Sequence, residues 1–522
     1  MRTYMTCMEE KITDFYKRHG KYILLDLLGG VLTYFMMMSL NLVNDLDGIW
    51  HLSNFIAGDW EISLGRGLQR YADRARFGIV SDSFNTILTL LLIVTANELI
   101  IEKFRWERSA FLGLLRLLLV ANPVVCDSLS YSYMSVNFGL AYFFSVLAFV
   151  CLKETEGKGC ICRFAMGGVW LAVSLAFYQA YISVTCVLLV SYMLKLLLDG
   201  KSLKSIFRYL LTGACTVAVG GVLYLLLTKA LLYRAGVQMA SYRGASNINI
   251  ASMLANLPSA LRQCYEEFIK YFVTYKAMSD LEFIEVVLVA LFLVYLAAVV
   301  LRLRELFRRH AANAIVFAVL VIILPVASCF VVVLAVGSAM SVLMSMGLVM
   351  YVVMSGVVVP EQGRAAFWVK RAYLLVLAGF VWFQLSAVVN DQVALKEGKT
   401  ATVTLAQNIV ASLYEGHYLE EYGTVALVGR PANNDTFAQS TAYHMANSYA
   451  RFGCWSADAR NNRVSWQGVL SNFVGVNVPL CGEEDYQELT ATEEVASMPE
   501  FPAEGSVRVI NGIVVVKVSE LY

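Results

Sequence analysis

Apolar runs near 20 residues recur through the chain, separated by short polar turns, and this pattern restricts what it can fold into. A bilayer-crossing helix needs roughly 20 apolar residues. About eleven such segments are readable by hydrophobicity and punctuation. They are Tyr22–Val43, Phe84–Ile101, Phe111–Cys126, Val136–Leu152, Phe164–Phe177, Ile182–Leu198, Tyr209–Leu232, Phe283–Leu301, Ile315–Ala335, Ser338–Val358 and Tyr373–Val389. Hydrophobic residues make up 58% of the chain and charged ones only 16%, which excludes an ordinary soluble fold. The net charge of +1 and the lack of a long basic run argue against a nucleic-acid partner. The first apolar run lacks a small-residue cleavage site, so it reads as a retained helix. The fold class expected is a polytopic α-helical membrane protein.

Lys and Arg set the orientation. Clusters at Lys17/Arg18/Lys21, Lys103/Arg105/Arg108, Lys153/Lys158/Arg163, Lys195/Lys201/Lys204/Arg208, Arg302/Arg304/Arg308/Arg309 and Arg364/Lys370/Arg371 all fall on one side of the count. The turns near Ser128–Tyr133, Tyr178–Tyr181 and Gly337 carry none. The N-terminus is therefore expected in the cytoplasm, with loop 44–83, segment 233–280 and the C-terminal residues outside. The stretch Phe164–Leu198 is short for two spans, but a single span there would break the charge pattern.

Polarity rises sharply after residue 389. The expected division is a transmembrane domain, 1–389, and an extracytoplasmic α/β domain, 390–522. In the latter, Thr400–Tyr414 reads as helix and Gly423–Gly429 as a buried strand. Residues 507–518 read as a hairpin turning at Asn511-Gly512. No Gly-rich nucleotide fingerprint is present, and Gly429-Arg430-Pro431 is not one. Segment 248–272 has apolar residues at helical spacing and predicts an interfacial helix kinked or restarted at Pro258. Cys454 and Cys481 share the outer domain, and their pairing is open. Arg116 and Lys229, inside spans, are expected to snorkel.

The chemistry concentrates where the first span ends. Asn44-Asp45-Leu46-Asp47-Gly48-Ile49-Trp50 puts two carboxylates at a membrane mouth, and Gly58-Asp59-Trp60 and Ser63-Leu64-Gly65-Arg66 follow in the same loop. Carboxylates held there are expensive and point to function. Outside the cell no nucleotide sugar is at hand, and the activated sugar is one carried on a lipid phosphate. Transfer from it needs a base for the acceptor hydroxyl and a cation for the departing phosphate. Asp45 and Asp47 supply the first and Arg66 the second, with Arg70, Arg74 and Arg76 behind. Arg234 and Arg243 are further phosphate candidates. Trp50 and Trp60 are candidates for stacking on a sugar, and Asp127 and Tyr131 for contacting an acceptor.

These motifs resemble the first outer loop of the bacterial serotype-converting glucosyltransferases that modify O-antigen, a family similar in architecture to the GT-C glycosyltransferases. The acidic pair, the Gly65-Arg66 step and Leu175-Ala176-Phe177-Tyr178-Gln179-Ala180-Tyr181 carry the resemblance, and the span pattern supports it from Tyr22 to about Leu232. It implies a hexosyltransferase, with glucose the expected sugar, an undecaprenyl-phosphate-linked donor and a surface polysaccharide acceptor. A first-loop acid would be the base and Tyr178 and Gln179 would touch substrate. Leu46 separates acids that relatives often carry side by side. Asp47, farther from the helix and followed by Gly48, is favoured as base, with Asp45 orienting it or the acceptor. No cofactor is assigned and no metal site is found; a divalent metal is left open without a pattern that indicates it. A polysaccharide polymerase or ligase, or a lipid-linked sugar flippase, is the alternative.

Overall fold

A computed structural model of the chain describes residues 2–107, 109–153, 159–242 and 255–521. It is mostly helical. The helices that matter below are α1 (Arg2–Thr33), α2 (Phe35–Leu40), α3 (Asp47–Trp50), α4 (Asp59–Ser63), α5 (Gln69–Ala75), α6 (Asp82–Phe104), α7 (Ala110–Val120), α8 (Pro123–Ser130), α9 (Ser135–Val150), α10 (Gly159–Phe177), α11 (Ile182–Leu198) and α12 (Leu203–Ala235). After them come α13 (Leu257–Ile269), α14 (Ile284–Arg309), α15 (Ala311–Ser328), α16 (Met346–Ser355) and α17 (Arg364–Glu415). Seven helical stretches among the described residues are long and apolar enough to cross a membrane. Shorter apolar helices add Ser135–Val150, Arg163–Phe177 and Met346–Val358.

Local chemistry explains where the helices break. The stretch expected as one span at 111–126 is two helices. Asn122 caps α8, its Oδ1 accepting from Val125 N–H at 3.1 Å, and Pro123 opens the first turn. The Asn122 amide also donates to Leu118 C=O at 2.8 Å, closing the end of α7. Phe164–Leu198 is a true helical pair, α10 and α11, turned at Tyr178-Gln179. Pro258 sits in the first turn of α13 and so starts that helix. Residues 243–254, the other part of the expected interfacial segment, lie outside the described residues. From α13, Tyr265 donates to Ile322 C=O at 2.7 Å and Gln263 to Ser338 C=O at 2.9 Å, so the helix lies on the end of α15.

The stretch expected as the first span is interrupted at Tyr34, and α17 bridges the break. Gln392 Nε2 donates to Thr33 C=O at 2.9 Å, and its Oε1 accepts from Met37 N–H at 3.3 Å. At the last residue of α2, Lys399 Nζ donates to Leu40 C=O at 2.8 Å. Backbone groups freed by a break in a span need such partners. The 52-residue α17 passes residue 389 without a break, so its apolar half and its polar half form one rod.

Beyond α17 stands a small sheet. β1 (Val425–Val428) pairs in parallel with β3 (Ile513–Lys517), and β2 (Val507–Ile510) pairs antiparallel with β3. Asn511 and Gly512 take φ of 51° and 78°, the positive values a tight hairpin turn requires. β1 is buried along its length. Helix α18 (Ala459–Val469) packs beside it. Cys454 and Cys481 are both free thiols.

Arg116 does not snorkel. Its guanidinium meets Asp26 at 2.8 Å and the fully buried Glu98, and it lies 4.8 Å from the centre of the Tyr22 ring. His19 Nδ1 contacts the other Glu98 oxygen at 2.7 Å. Burial makes these charges depend on one another. Lys229, in contrast, is exposed. R116L is expected to destabilise the fold by about 3–5 kcal/mol, read as a lower Tm in detergent. R116L/D26N/E98Q should recover most of the loss.

Candidate active site

Loop 44–83 is a built structure. At its centre is Asp73, which is fully buried. Its Oδ1 accepts from Arg76 at 2.6 Å and from Asn137 at 3.0 Å, and its Oδ2 accepts from Ala57 N–H at 3.0 Å. Arg76 also donates to Asn85 at 3.1 Å and to Tyr133 C=O at 3.2 Å. Arg76 is thus a structural cation turned inward. Sequence reasoning missed Asp73, because one acid in an Arg-rich run looks like a solvated charge.

The acid pair is set by Asn44 and Gly48. Asn44 N–H donates to Ser130 C=O at 2.9 Å, and its side chain accepts from Gly48 N–H at 2.7 Å. A Cβ at Gly48 would fall 2.4 Å from Asn44 Oδ1, so only glycine fits between Asp47 and Ile49.

The two acids then part company. Asp45 faces the C-terminal segment: its Oδ1 accepts from Gly453 N–H at 2.7 Å. The Asp45 carboxyl is enclosed by protein, and burial pushes its pKa up to about 7, against the pull of the Gly453 and Cys454 N–H groups and of Arg430. Asp47 opens α3 and is exposed along one side. Crowding by protein still raises its pKa; Glu61 adds to this and Arg66 opposes it. Glu61 is a third carboxylate at this site, held by Gly58 N–H at 2.6 Å. Its place in Gly58-Asp59-Trp60-Glu61 was visible, but nothing in the spacing showed that it turns toward Asp47.

Arg66 is near enough to Asp47 to pull its pKa down. Its guanidinium carbon sits 4.7 Å from the centre of the Tyr178 ring, a cation–π contact. Its Nε is buried without a hydrogen-bond partner among the described residues. No ion pair joins Arg66 to Asp47 or Glu61 among the described residues, so its donors remain open. Gly65 has φ of +76°, and a Cβ there would fall 2.3 Å from Tyr224 Oη. Gln179 fixes this turn, donating to Leu64 C=O at 2.7 Å and to Tyr224 Oη at 2.8 Å. Gln69 reaches the same helical hairpin, donating to Phe177 C=O at 2.7 Å. Tyr178 and Gln179 therefore stand beside Arg66, Tyr178 beneath the guanidinium and Gln179 in the loop's own hydrogen bonds.

The remaining candidates divide. Trp50 and Trp60 are both exposed, and Trp60 lies 5.7 Å from the Tyr242 ring. Arg234 lies apart from Arg66, in a separate cavity with Arg70 and Arg74. Arg243 lies outside the described residues. Asp127 is buried, with Oδ1 unpartnered among the described residues. His51 packs against Phe55 and Tyr133 at 4.5 and 4.8 Å between ring centres, and burial lowers its pKa to about 4, so the ring is neutral. Tyr133 is buried beside Asp47, Glu61 and Arg66, and its hydroxyl keeps its proton well beyond the usual range. The described residues include no group of three or more His, Cys, Asp or Glu placed to hold a metal.

The C-terminal segment closes on this loop. Asn472 donates to Ile49 C=O at 2.7 Å, and a Cβ at Gly468 would fall 2.5 Å from Ile49 Cγ2. Asp45 links that closure to pH. An unfolded Asp titrates near 3.8, whereas the folded Asp45 titrates near 7. Between these values the folded chain binds the extra proton, so raising pH across that window weakens the fold. Tm is expected to fall from pH 4 to 7 in the wild type. D45N, which still accepts from Gly453 N–H, should flatten that slope.

No curated protein and no solved structure matches the chain. A family model does: the one described as Glucosyl transferase GtrII matches residues 36–354, well over half of the 522 residues. That stretch includes both acids, Glu61, Arg66 and the Tyr178-Gln179 turn. With this match the chain belongs to the GtrII glucosyl transferase family, and it is a glycosyltransferase.

Proposed function

We propose that the chain transfers a hexose, glucose by the family's description, from an undecaprenyl-phosphate carrier to a surface polysaccharide such as an O-antigen or wall polymer. The reaction runs at the outer face of a bacterial plasma membrane. In this reading the chain crosses the bilayer eleven times from a cytoplasmic N-terminus. Residues 1–389 form the transferase domain, and residues 390–522 form an extracytoplasmic α/β domain over the site.

One observation supports the mechanism: Arg66 is near enough to Asp47 to oppose the rise in its pKa, and no ion pair joins the two among the described residues. The acceptor hydroxyl attacks the anomeric carbon while Asp47 takes its proton. The bond from that carbon to the phosphate oxygen breaks. The phosphate leaves with the bonding electron pair, and Arg66 holds the charge as it develops. A single displacement inverts the anomeric centre. A raised pKa suits Asp47 to this work, since a base titrating nearer neutrality drives proton transfer better. Tyr178 keeps the Arg66 guanidinium flat and aimed. Trp50 and Trp60, exposed on the rim, offer stacking surfaces for sugar rings.

Asp45 has another part in this reading. Its carboxyl is spent on Gly453 N–H, so it fastens the C-terminal segment and the base is Asp47. Glu61 strengthens Asp47 as a base by raising its pKa.

D47N is expected to lower transfer by about 10²–10⁴-fold, with the variant still folded and membrane-inserted. D45N should retain most of it. R66K should lose more in turnover than in acceptor binding, because a point charge cannot replace a bidentate fork. The wild-type rate should fall as pH drops through a value above the ordinary carboxylate range. Transfer assayed in vesicles with a radiolabelled lipid-linked sugar measures all four. Full activity of D47N would move the base elsewhere.

A further inference from the structure

A cavity of about 170 Å³ lies behind the Arg66 turn, lined by Ile62, Arg70, Tyr71, Arg74, Leu231 and Arg234. Three guanidiniums and no carboxylate line it. Arg70 and Arg74 stand one turn apart on α5, on the same face. Arg234 comes from the last turn of α12. Arg70 is held in place, Nε donating to Ala57 C=O at 2.9 Å and its fork meeting Asp59 at 2.7 Å. Arg74 and Arg234 are exposed, and neither guanidinium has a hydrogen bond or ion pair among the described residues. Three cations against one acid leave an excess positive charge that an anion would relieve.

The walls say what kind of anion. Leu231 and Ile62 give the cavity an apolar side. Below Arg234, α12 exposes Val222, Leu226 and Tyr233, and Tyr233 is 91% exposed. A charged pocket above bare apolar side chains suits a headgroup with a hydrocarbon tail, where a free inorganic anion would use only the charges. The cavity also adjoins the site. A Cβ at Gly67, next to Arg66, would fall 2.5 Å from Leu231 Cδ1, so the backbone carrying Arg66 rests on the cavity wall.

We propose that Arg70, Arg74 and Arg234 form a seat for the phosphate of a membrane lipid, separate from the phosphate held by Arg66 during transfer. This rests on the placement of loop 44–83 at a membrane surface and is independent of the base assignment. The phosphate oxygens take the guanidinium donors, and the tail follows α12 into the bilayer. A lipid phosphate waiting there is held beside the reacting site before or after transfer.

Binding to the full chain in neutral phosphatidylcholine nanodiscs tests this, with undecaprenyl phosphate, phosphatidylglycerol and inorganic phosphate as separate probes. Undecaprenyl phosphate is expected to bind saturably. R74Q/R234Q should raise its Kd about tenfold or more, while R74K/R234K stays close to wild type. Both pairs are exposed and unpartnered, so Tm should hold in each. Equal competition by phosphatidylglycerol identifies the seat as one for anionic lipid headgroups in general; failure to compete identifies the carrier lipid as its occupant. Unchanged lipid binding in R74Q/R234Q, or inorganic phosphate binding as tightly as either lipid, overturns the proposal. D47N should bind the lipid normally, so a failed base assignment and a failed seat give different results.

Discussion

A helix broken in an apolar setting needs partners for its freed backbone groups, and this requirement organises the molecule. The helical stretch α1–α2 breaks at Tyr34, a few residues before the acid pair. Gln392 bridges the break from α17, and Lys399 closes the end of the span at Leu40. A helix that begins at Arg364 therefore holds the segment that leads into Asn44, Asp45 and Asp47. The α7–α8 break at Asn122 works the same way on a smaller scale, with one side chain serving both helix ends.

Electrostatics then separates acids of the same type. Asp73 is buried but answered by Arg76 and Asn137, and it serves as a hub. Asp45 is enclosed and answered by backbone N–H groups of a distant segment. Asp47 alone of the three keeps an open side, with a carboxylate neighbour raising its pKa and a guanidinium opposing this. Environment assigns them different work.

Much of this was legible from the residues. Hydrophobic runs pointed to a mostly helical chain, and seven helical stretches among the described residues are long and apolar enough to cross a membrane. The Asn-Gly pair announced its hairpin through the positive φ it tolerates. The Gly-Arg step and the Tyr-Gln turn were recognisable, although one lies more than a hundred residues from the other. What could not be read were the pairings. Arg116 looked like a snorkelling cation because its partners, Asp26 and Glu98, belong to other helices. Nothing in the local pattern singled out Glu61 or Asp73, since their partners, Gly58, Arg76 and Asn137, are set by folding. The free run of α17 through residue 389 was hidden because polarity changes there while the backbone does not. Local pattern reports what a segment can be, and only three-dimensional placement says whom it meets.

The family match ends at residue 354, whereas Gly453 and Asn472 grip the loop that carries the acids, and Gln392 and Lys399 hold the helical segment just ahead of it. The recognisable half of the chain is therefore not a self-sufficient module. A chimera that grafted residues 36–354 onto a foreign tail would inherit the acids without the contacts that hold their loop.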